Sequence, residues 1–506
     1  MSDVSAAAVP QKLSFSQQMR SFPPAFWVAN SIELVERFSF YGVRTIAALY
    51  IVAAAEKGGL ALSNTDKGIF FGVWSLIQCL LPMFTGGFAD RYGYRASLMV
   101  AFGINIVGYG LMGFTHSWWS FMGACCLIGT GTAIFKPPLH GTLAHCVNES
   151  NSSVGWGMFY QVVNIGGFIG PLVCGYLRLL QWRYAFFAAA GIIVVNVLIT
   201  LLFLKDYSKG HATSAEAGRP QKRPAEVFNE SLAVLKDFRF VVFLAIFSGF
   251  WFMFMQLFDQ LSVFIDQWVN SNDVARFLAN ITGWQFFQKM AADNGQVNPE
   301  WIVNVDSGSI IILVLLISYI SGRFRHISAM IVGMFICCCG FLMAGTMTTG
   351  WMCVVGIVIF AVGEMACSPK FSEYVGLMAP PDKKALYMGY SNIPFAVGWA
   401  GANFVGGPLY EHLSDKIRLA RQYLIHVLGQ DSTAVDALSK GAVMQKLAEA
   451  LGQSETAAQQ LLWNYYHPQS FWFICTAIGL LATLAMVGYH FWLLADARRR
   501  EAAVPV

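Results

Sequence analysis

The sequence predicts an all-α polytopic membrane protein with twelve transmembrane helices in two six-helix bundles, and three observations carry that expectation. Of the 506 residues, 56% are hydrophobic and 12% charged, whereas charged residues make up roughly 25% of a soluble globular chain. Twelve apolar runs follow one another, each long enough to cross about 30 Å of hydrocarbon as a helix. A polar stretch at 205–237 divides the runs six and six.

In chain order, a tail at 1–24 precedes runs at 25–54, 66–88, 96–114, 119–144, 155–180 and 184–204. No short apolar segment with a small-residue cleavage site opens the chain, so the first run is read as a retained span. The stretch 205–237, rich in Ser, Gly, Pro, Lys and Arg, reads as a flexible cytoplasmic linker. The second bundle, 238–495, holds runs at 238–268, 302–321, 327–347, 351–378, 385–409 and 468–494, followed by a tail at 496–506. Basic residues gather in alternate connections, at Arg91 and Arg95, in the linker, at Arg323 and Arg325, at Lys383 and Lys384, and at Arg498 to Arg500. By the positive-inside rule both termini are cytoplasmic, in a plasma membrane and most simply a bacterial inner membrane. Two insertions, 270–300 and 410–467, then fall on the outer side. In the second, Leu438, Val443, Leu447 and Leu451 recur among charges at helical spacing, which predicts a packed extracytoplasmic cap.

The eleven cysteines fall mostly within apolar runs and read as small core residues, with no disulfide framework and no metal site. Cys337, Cys338 and Cys339 are consecutive, and successive helical positions point about 100° apart, too far to close a tetrahedral shell. The net charge of +4 is small and gives no sign of nucleic acid. No nucleophile-and-base constellation falls within a span, so the chain does not read as an enzyme.

The first run carries the most informative residues. Glu33, Glu36 and Arg37 lie at i, i+3 and i+4, on one helical face. A charged group at the bilayer centre costs about 2.5 to 3.5 kcal/mol, so this face should turn to a bundle interior or wet cavity. An arginine between two carboxylates lets one Glu hold a proton while the other stays paired, which is what proton coupling requires. A static ion-pair network that fixes the bundle is the other reading of the same three residues. Lys136, in the fourth run, likewise needs a partner. His140, four residues further on the same face, reads as a hydrogen-bonded core histidine in preference to a proton relay.

The segment Gly86-Gly87-Phe88-Ala89-Asp90-Arg91-Tyr92-Gly93-Tyr94-Arg95 resembles the G-x-x-x-D-R-x-G-R-R loop of major facilitator transporters. Its glycines allow close backbone approach, and Asp90, Arg91 and Arg95 can latch helix ends by charge-assisted bonds. The six-plus-six plan is that of the same superfamily, with substrate near the midplane between the halves. Glu33 to Gly42 in turn resembles the E-x-x-E-R-F-x-Y-Y-G signature of proton-dependent oligopeptide transporters, with Phe40 where that family carries tyrosine, and Arg44 extends the match. Gly129-Thr130-Gly131 with Phe135-Lys136-Pro137, Phe159 to Gly166, Phe258-Asp259-Gln260, and Gly363 to Pro369 resemble its further motifs, in order and across both halves. The departures are Leu139 to Ala144 after the lysine motif, Asp306 beside Asn304 in the eighth span, Lys370, and the insertion at 410–467.

The resemblance implies a proton-coupled symporter that imports di- or tripeptides or peptide-like compounds by alternating access, needs no cofactor beyond the proton as coupling ion, and works in the lipid bilayer as a monomer. It implies that Arg44 pairs with Asp259 at the outer gate and Lys136 with Glu364 at the inner gate. Arg37, Arg44 and Lys136 would meet a peptide carboxylate, Glu364 its amine and Asn164 its amide, while Tyr41, Phe71, Trp74, Trp251 and Phe258 would line side-chain pockets. Two alternatives remain. Gly166 to Gly175, with Gly170-Pro171, resembles a fifth-span motif of drug- or metabolite-exporting proton antiporters, and a membrane receptor would bind without flux.

Overall fold

Hydrocarbon offers a backbone N–H or C=O no partner, so a chain that crosses a membrane without closing a barrel must be helical. The computed structural model describes residues 14–82, 85, 89, 92–148, 151–204, 236–292, 295–321, 323–378 and 390–502. Among these every regular element is a helix, apart from an isolated bridge between Asn270 and Thr349. The twelve long helices are α1 (Pro24–Val52), α2 (Asn64–Leu80), α3 (Tyr94–Met112), α4 (Trp118–Cys146), α5 (Ser152–Leu180), α6 (Trp182–Phe203), α7 (Phe238–Asp259), α8 (Val305–Ser321), α9 (His326–Thr346), α10 (Gly350–Met378), α11 (Asn392–Leu413) and α12 (Ser470–Ala502). An even number of crossings returns the chain end to the face where it began; that face is called terminal below, and the opposite one far.

Local sequence sets the ends of these helices. Pro24 opens α1 at a position whose N–H has no helical partner. Ser63 and Asp66 form a reciprocal capping box on α2, with Ser63 Oγ accepting from Asp66 N at 3.0 Å and Asp66 Oδ2 from Ser63 N at 3.2 Å. Asp237 accepts from the first amides of α7. Three expected spans differ in detail. The run 238–268 is broken at Gln260 (φ −117°, ψ −32°), beyond which Leu261–Trp268 continues as a separate helix. The eighth span is preceded by a short helix, Pro299–Val303. Finally, α12 runs past 494 to Ala502, where Arg498 and Arg499 complement the negative end of the helix dipole.

Eight of the twelve helices are apolar and long enough to cross a membrane on those grounds alone. The other four differ for physical reasons: α1 buries Glu33, Glu36, Arg37 and Arg44, the described parts of α2 and α8 have 17 residues each, and α11 is rich in Gly, Asn and Pro. Small residues let the backbones close. A Cβ at Gly166 of α5 would lie 2.6 Å from Leu34 O and 2.8 Å from Arg37 Cβ on α1, and one at Gly407 of α11 would lie 2.6 Å from Asn64 O on α2. The first pair fixes the charged face of α1; the second joins the two halves.

Buried side chains form two large clusters, one from α1 to α6 and one from the second half with its insertions, which Leu49 of α1 joins, with a small third at Ile310, Ala361 and Met365. The insertion 270–300 contains helices Asn272–Thr282 and Gln285–Ala292, and 410–467 contains Lys416–His426, Ser432–Asp436, Lys440–Leu451 and Glu455–Tyr466. Val443, Leu447 and Leu462 are buried and belong to the second cluster. The ammonium of Lys440 donates to Val52 O at 3.3 Å and Leu62 O at 2.6 Å, so the insertion clasps the first half as well, and burial lowers the pKa of Lys440. The expected linker falls on residues of which 205–235 lie outside the described set.

Candidate functional site

On α1 the guanidinium of Arg37 sits between two carboxylates. Its Nε lies 3.2 Å from Glu33 Oε1 and its Nη2 pairs with Glu36 Oε2; the three residues are 4%, 4% and 0% exposed. Two anions thus share one cation away from water. The Phe40 and Tyr41 rings stand 4.8 and 5.8 Å from the guanidinium, where their faces favour the cation.

Two turns further, Arg44 meets Asp259 of α7. Arg44 Nε donates to Oδ1 at 3.2 Å, and Nη2 to Oδ1 and Oδ2 at 3.1 Å each. Asp259 also accepts from Trp399 Nε1 at 2.9 Å and Asn403 Nδ2 at 2.7 Å, both on α11. The guanidinium lies against Phe71 and Trp399, at 4.4 and 4.3 Å. The pair is therefore a hydrogen-bonded, aromatic-walled junction of α1, α2, α7 and α11.

Two charged groups here escaped the sequence reading. Lys67 of α2 is fully buried and donates to Asp259 O at 3.0 Å and Gln260 Oε1 at 2.5 Å. Its signal was a lysine four residues before Phe71, on one face, but it read as the end of a span. Glu300, also fully buried, accepts from Arg178 Nε at 2.5 Å and Nη2 at 2.9 Å. Its position just after Pro299 reads as helix-start chemistry, which hid its partner.

A cavity of about 260 Å³ lies between the halves. Its walls include Tyr41, Arg44, Lys136, Asn164, Trp251, Phe258 and Glu364, together with Glu300, Asn304, Asp306 and Trp399. The structure thus gathers most of the residues singled out for substrate contact. Arg37, Phe71 and Trp74 are not in the lining; Phe71 and Trp74 are fully buried behind it, Trp74 edge-on to Phe40 at 5.8 Å. In this conformation both rings pack on Arg44, at 4.4 and 5.2 Å. Lys136 and Glu364 share the cavity but form no ion pair in this conformation. Asn164 donates to Tyr160 O at 2.9 Å on its own helix.

His140 is solvent-accessible and not the fully buried core histidine expected, its ring edge-on to Phe159 at 5.2 Å and to Trp156 at 6.1 Å. Lys370 pairs with Glu373 at 2.8 Å, and Glu373 Oε1 lies 2.7 Å from His326 Nε2, which ties α10 to the start of α9. In the loop motif, Gly86, Asp90 and Arg91 lie outside the described residues, while Gly93 (φ 99°) precedes α3 and Arg95 donates to Leu201 O at 2.6 Å.

Among the described residues, polar ties between the halves crowd toward the far face. Besides those above, Thr65 Oγ1 donates to Glu411 at 2.6 Å, Asn64 to Asp415 at 2.8 Å and Trp301 to Leu172 O at 3.2 Å. Toward the terminal face, Gln161 Nε2 donates to Ile311 O at 3.3 Å.

Two helical bundles around a central charged cavity are the architecture of a multi-pass membrane transporter. Residues 34–403 match the family profile described as Major Facilitator Superfamily, and the chain belongs to that superfamily. It is 30% identical over 193 residues to dipeptide and tripeptide permease A of Enterobacter sp. (strain 638), a match that spans 37% of this chain and 38% of that protein. It is 20% identical over 400 residues to the multidrug resistance protein MdtH of Photorhabdus laumondii subsp. laumondii, covering 79% and 89% of the two chains. Among solved structures, a POT family transporter in complex with a thioalcohol-conjugated peptide has a TM-score of 0.66 at 14% identity, with 94% of this chain and 99% of that one covered. The nucleoside transporter NupG has a TM-score of 0.64 at 12% identity, with 92% and 99% covered. These structures share the fold, and the superfamily expected from the loop motif is the one the chain belongs to.

Proposed function

We propose that this protein is a divergent proton-dependent oligopeptide transporter, a symporter that carries protons and di- or tripeptides, or peptide-like compounds, inward through a plasma membrane. The observation that carries the reading is the buried Glu33–Arg37–Glu36 cluster directly behind a cavity lined by Tyr41, Lys136, Asn164 and Glu364. A single guanidinium balances one of two carboxylates, so the other is the place for a transported proton. Lys136 and Glu364, both free of ion pairs, offer one cation for a peptide carboxylate and one anion for its amine. Partial similarity to the dipeptide and tripeptide permease supports the choice of cargo.

Alternating access supplies the cycle. Protonation and peptide binding together favour the loaded transition, and release of both restores the paired resting state. The test is reconstitution in liposomes with an interior pH dye and an inward proton gradient, followed by a panel of di- and tripeptides outside. Peptide-dependent acidification is expected, and Glu36→Gln should exchange peptide across the membrane yet lose proton-driven accumulation. If Glu36→Gln still concentrates peptide against its gradient, the proton site is elsewhere. A second reading, proton-driven export of drugs or metabolites, draws on the longer similarity to MdtH; in that case external peptide produces no acidification.

A further inference from the structure

We propose that Asp306 makes the cavity selective for cargo with two cationic groups, a peptide whose N-terminal amine is accompanied by a basic side chain; this rests on the peptide reading above and names its substrate class. The argument begins with the charges around the cavity. Arg44 is matched by Asp259, and Glu300 by Arg178. Behind the wall Arg37 is shared by Glu33 and Glu36. That leaves Lys136, Glu364 and Asp306, which all line the cavity and form no ion pair.

A zwitterionic peptide meets only two of these three. Its carboxylate answers Lys136 and its amine answers Glu364, and Asp306 remains. Asp306 is 2% exposed, and its Oδ1 accepts no hydrogen bond. Its neighbours on the chain do not serve it: Asn304 is committed to Phe168 O at 2.5 Å and Ser309 to Val305 O at 2.7 Å. Glu364 Oε2 is equally without a partner. A buried carboxylate with no donor is unfavourable, and a ligand cation that supplies one is bound with a charge-assisted hydrogen bond. The aromatic lining from Trp251, Phe254 and Phe258 suits the alkyl stem of such a side chain and, by its ring faces, the cation itself.

The experiment measures binding to the purified full-length protein in detergent, by ligand-induced thermal shift and competition, with Ala-Ala, Ala-Lys, Lys-Ala, Ala-Glu and 1,4-diaminobutane as probes. The wild type should bind the basic dipeptides about tenfold or more tightly than Ala-Ala, the gain expected of one hydrogen-bonded charge pair. Asp306→Asn should bring that ratio close to one, and Asp306→Glu should keep it. A wild type with no basic preference, or an Asp306→Asn protein that retains it, overturns the proposal while leaving the peptide reading in place. If no peptide binds but the diamine does, and Asp306→Asn loses it, the peptide reading fails and the dication selectivity stands. No binding by any probe to a protein that unfolds cooperatively overturns both. Should Asp306→Asn not fold, the wild-type ratio and the Asp306→Glu protein still decide.

Discussion

At the scale of single residues, the Arg44–Asp259 junction shows what a buried charge demands. Each group has been taken out of water, and each is returned several hydrogen bonds, Asp259 from Arg44, Trp399 and Asn403. Removal of one member therefore differs from removal of both. Asp259→Asn should destabilise the protein by about 3–5 kcal/mol, because Arg44 is left charged and buried without its carboxylate. Thermal or denaturant unfolding in detergent measures this, and Arg44→Gln with Asp259→Asn should recover part of the loss. A single variant as stable as the wild type would mean that water reaches Arg44. These two residues were legible in the sequence because ionisable groups stand out inside apolar runs. Lys67 and Glu300 were not, since each lies at the edge of a run, where a charge has an ordinary explanation at the interface or in a helix's first turn. The packing of Phe71 and Trp74 on Arg44 was not legible either: spacing tells which face a ring occupies, while the side chain it packs on is decided by tertiary contacts.

At the scale of elements, the length of the apolar runs was enough to find all twelve helices. The breaks at Gln260 and Asn304 were hidden, because neither has Pro or Gly at the break to announce it and both depend on packing across the halves. The contact of α1 with α5 was carried by Gly166 and Gly170, which sequence alone reads equally as an exporter motif. Its consequence is specific. In Gly166→Ala the new methyl would lie 2.6 Å from Leu34 O and 2.8 Å from Arg37 Cβ, so α1 must move away and take Arg37 with it. The cost of such overpacking is about 1–3 kcal/mol. On the symport proposed above, proton-coupled accumulation should fall by more than the loss of folded protein explains, measured as uptake per folded transporter. An Ala variant with unchanged stability and coupling would show that α5 yields while the charged face of α1 stays in place.

At the scale of the whole molecule, the two halves were foreseen from the polar stretch at 205–237, whereas the side on which they close was not, because closure is a property of one conformation and one sequence serves several. The far face is sealed by the Arg44–Asp259 pair, the Arg178–Glu300 pair, and the clasp of Lys440 on Val52 and Leu62. In the alternating-access cycle proposed above these part together, so each contributes to the bias toward the closed far face. Arg178→Ala tests the contribution of the outermost ion pair. Glu300 has 0% side-chain exposure against 14% for Arg178, and without its partner it is stabilised by reaching water, which happens when the far face opens. A shift of about 1.4 kcal/mol changes the ratio of open to closed molecules tenfold. Hydrogen–deuterium exchange should therefore accelerate at 298–304 and at the far end of α5, 172–180, with α9 unaffected as an internal reference. Arg178→Ala with Glu300→Ala should be less exchange-prone than Arg178→Ala alone, since no buried charge then seeks solvent. Equal protection in the wild type and Arg178→Ala would assign the seal to Arg44–Asp259 and the Lys440 clasp, and would make Arg178–Glu300 a structural pair that moves with the halves without holding them.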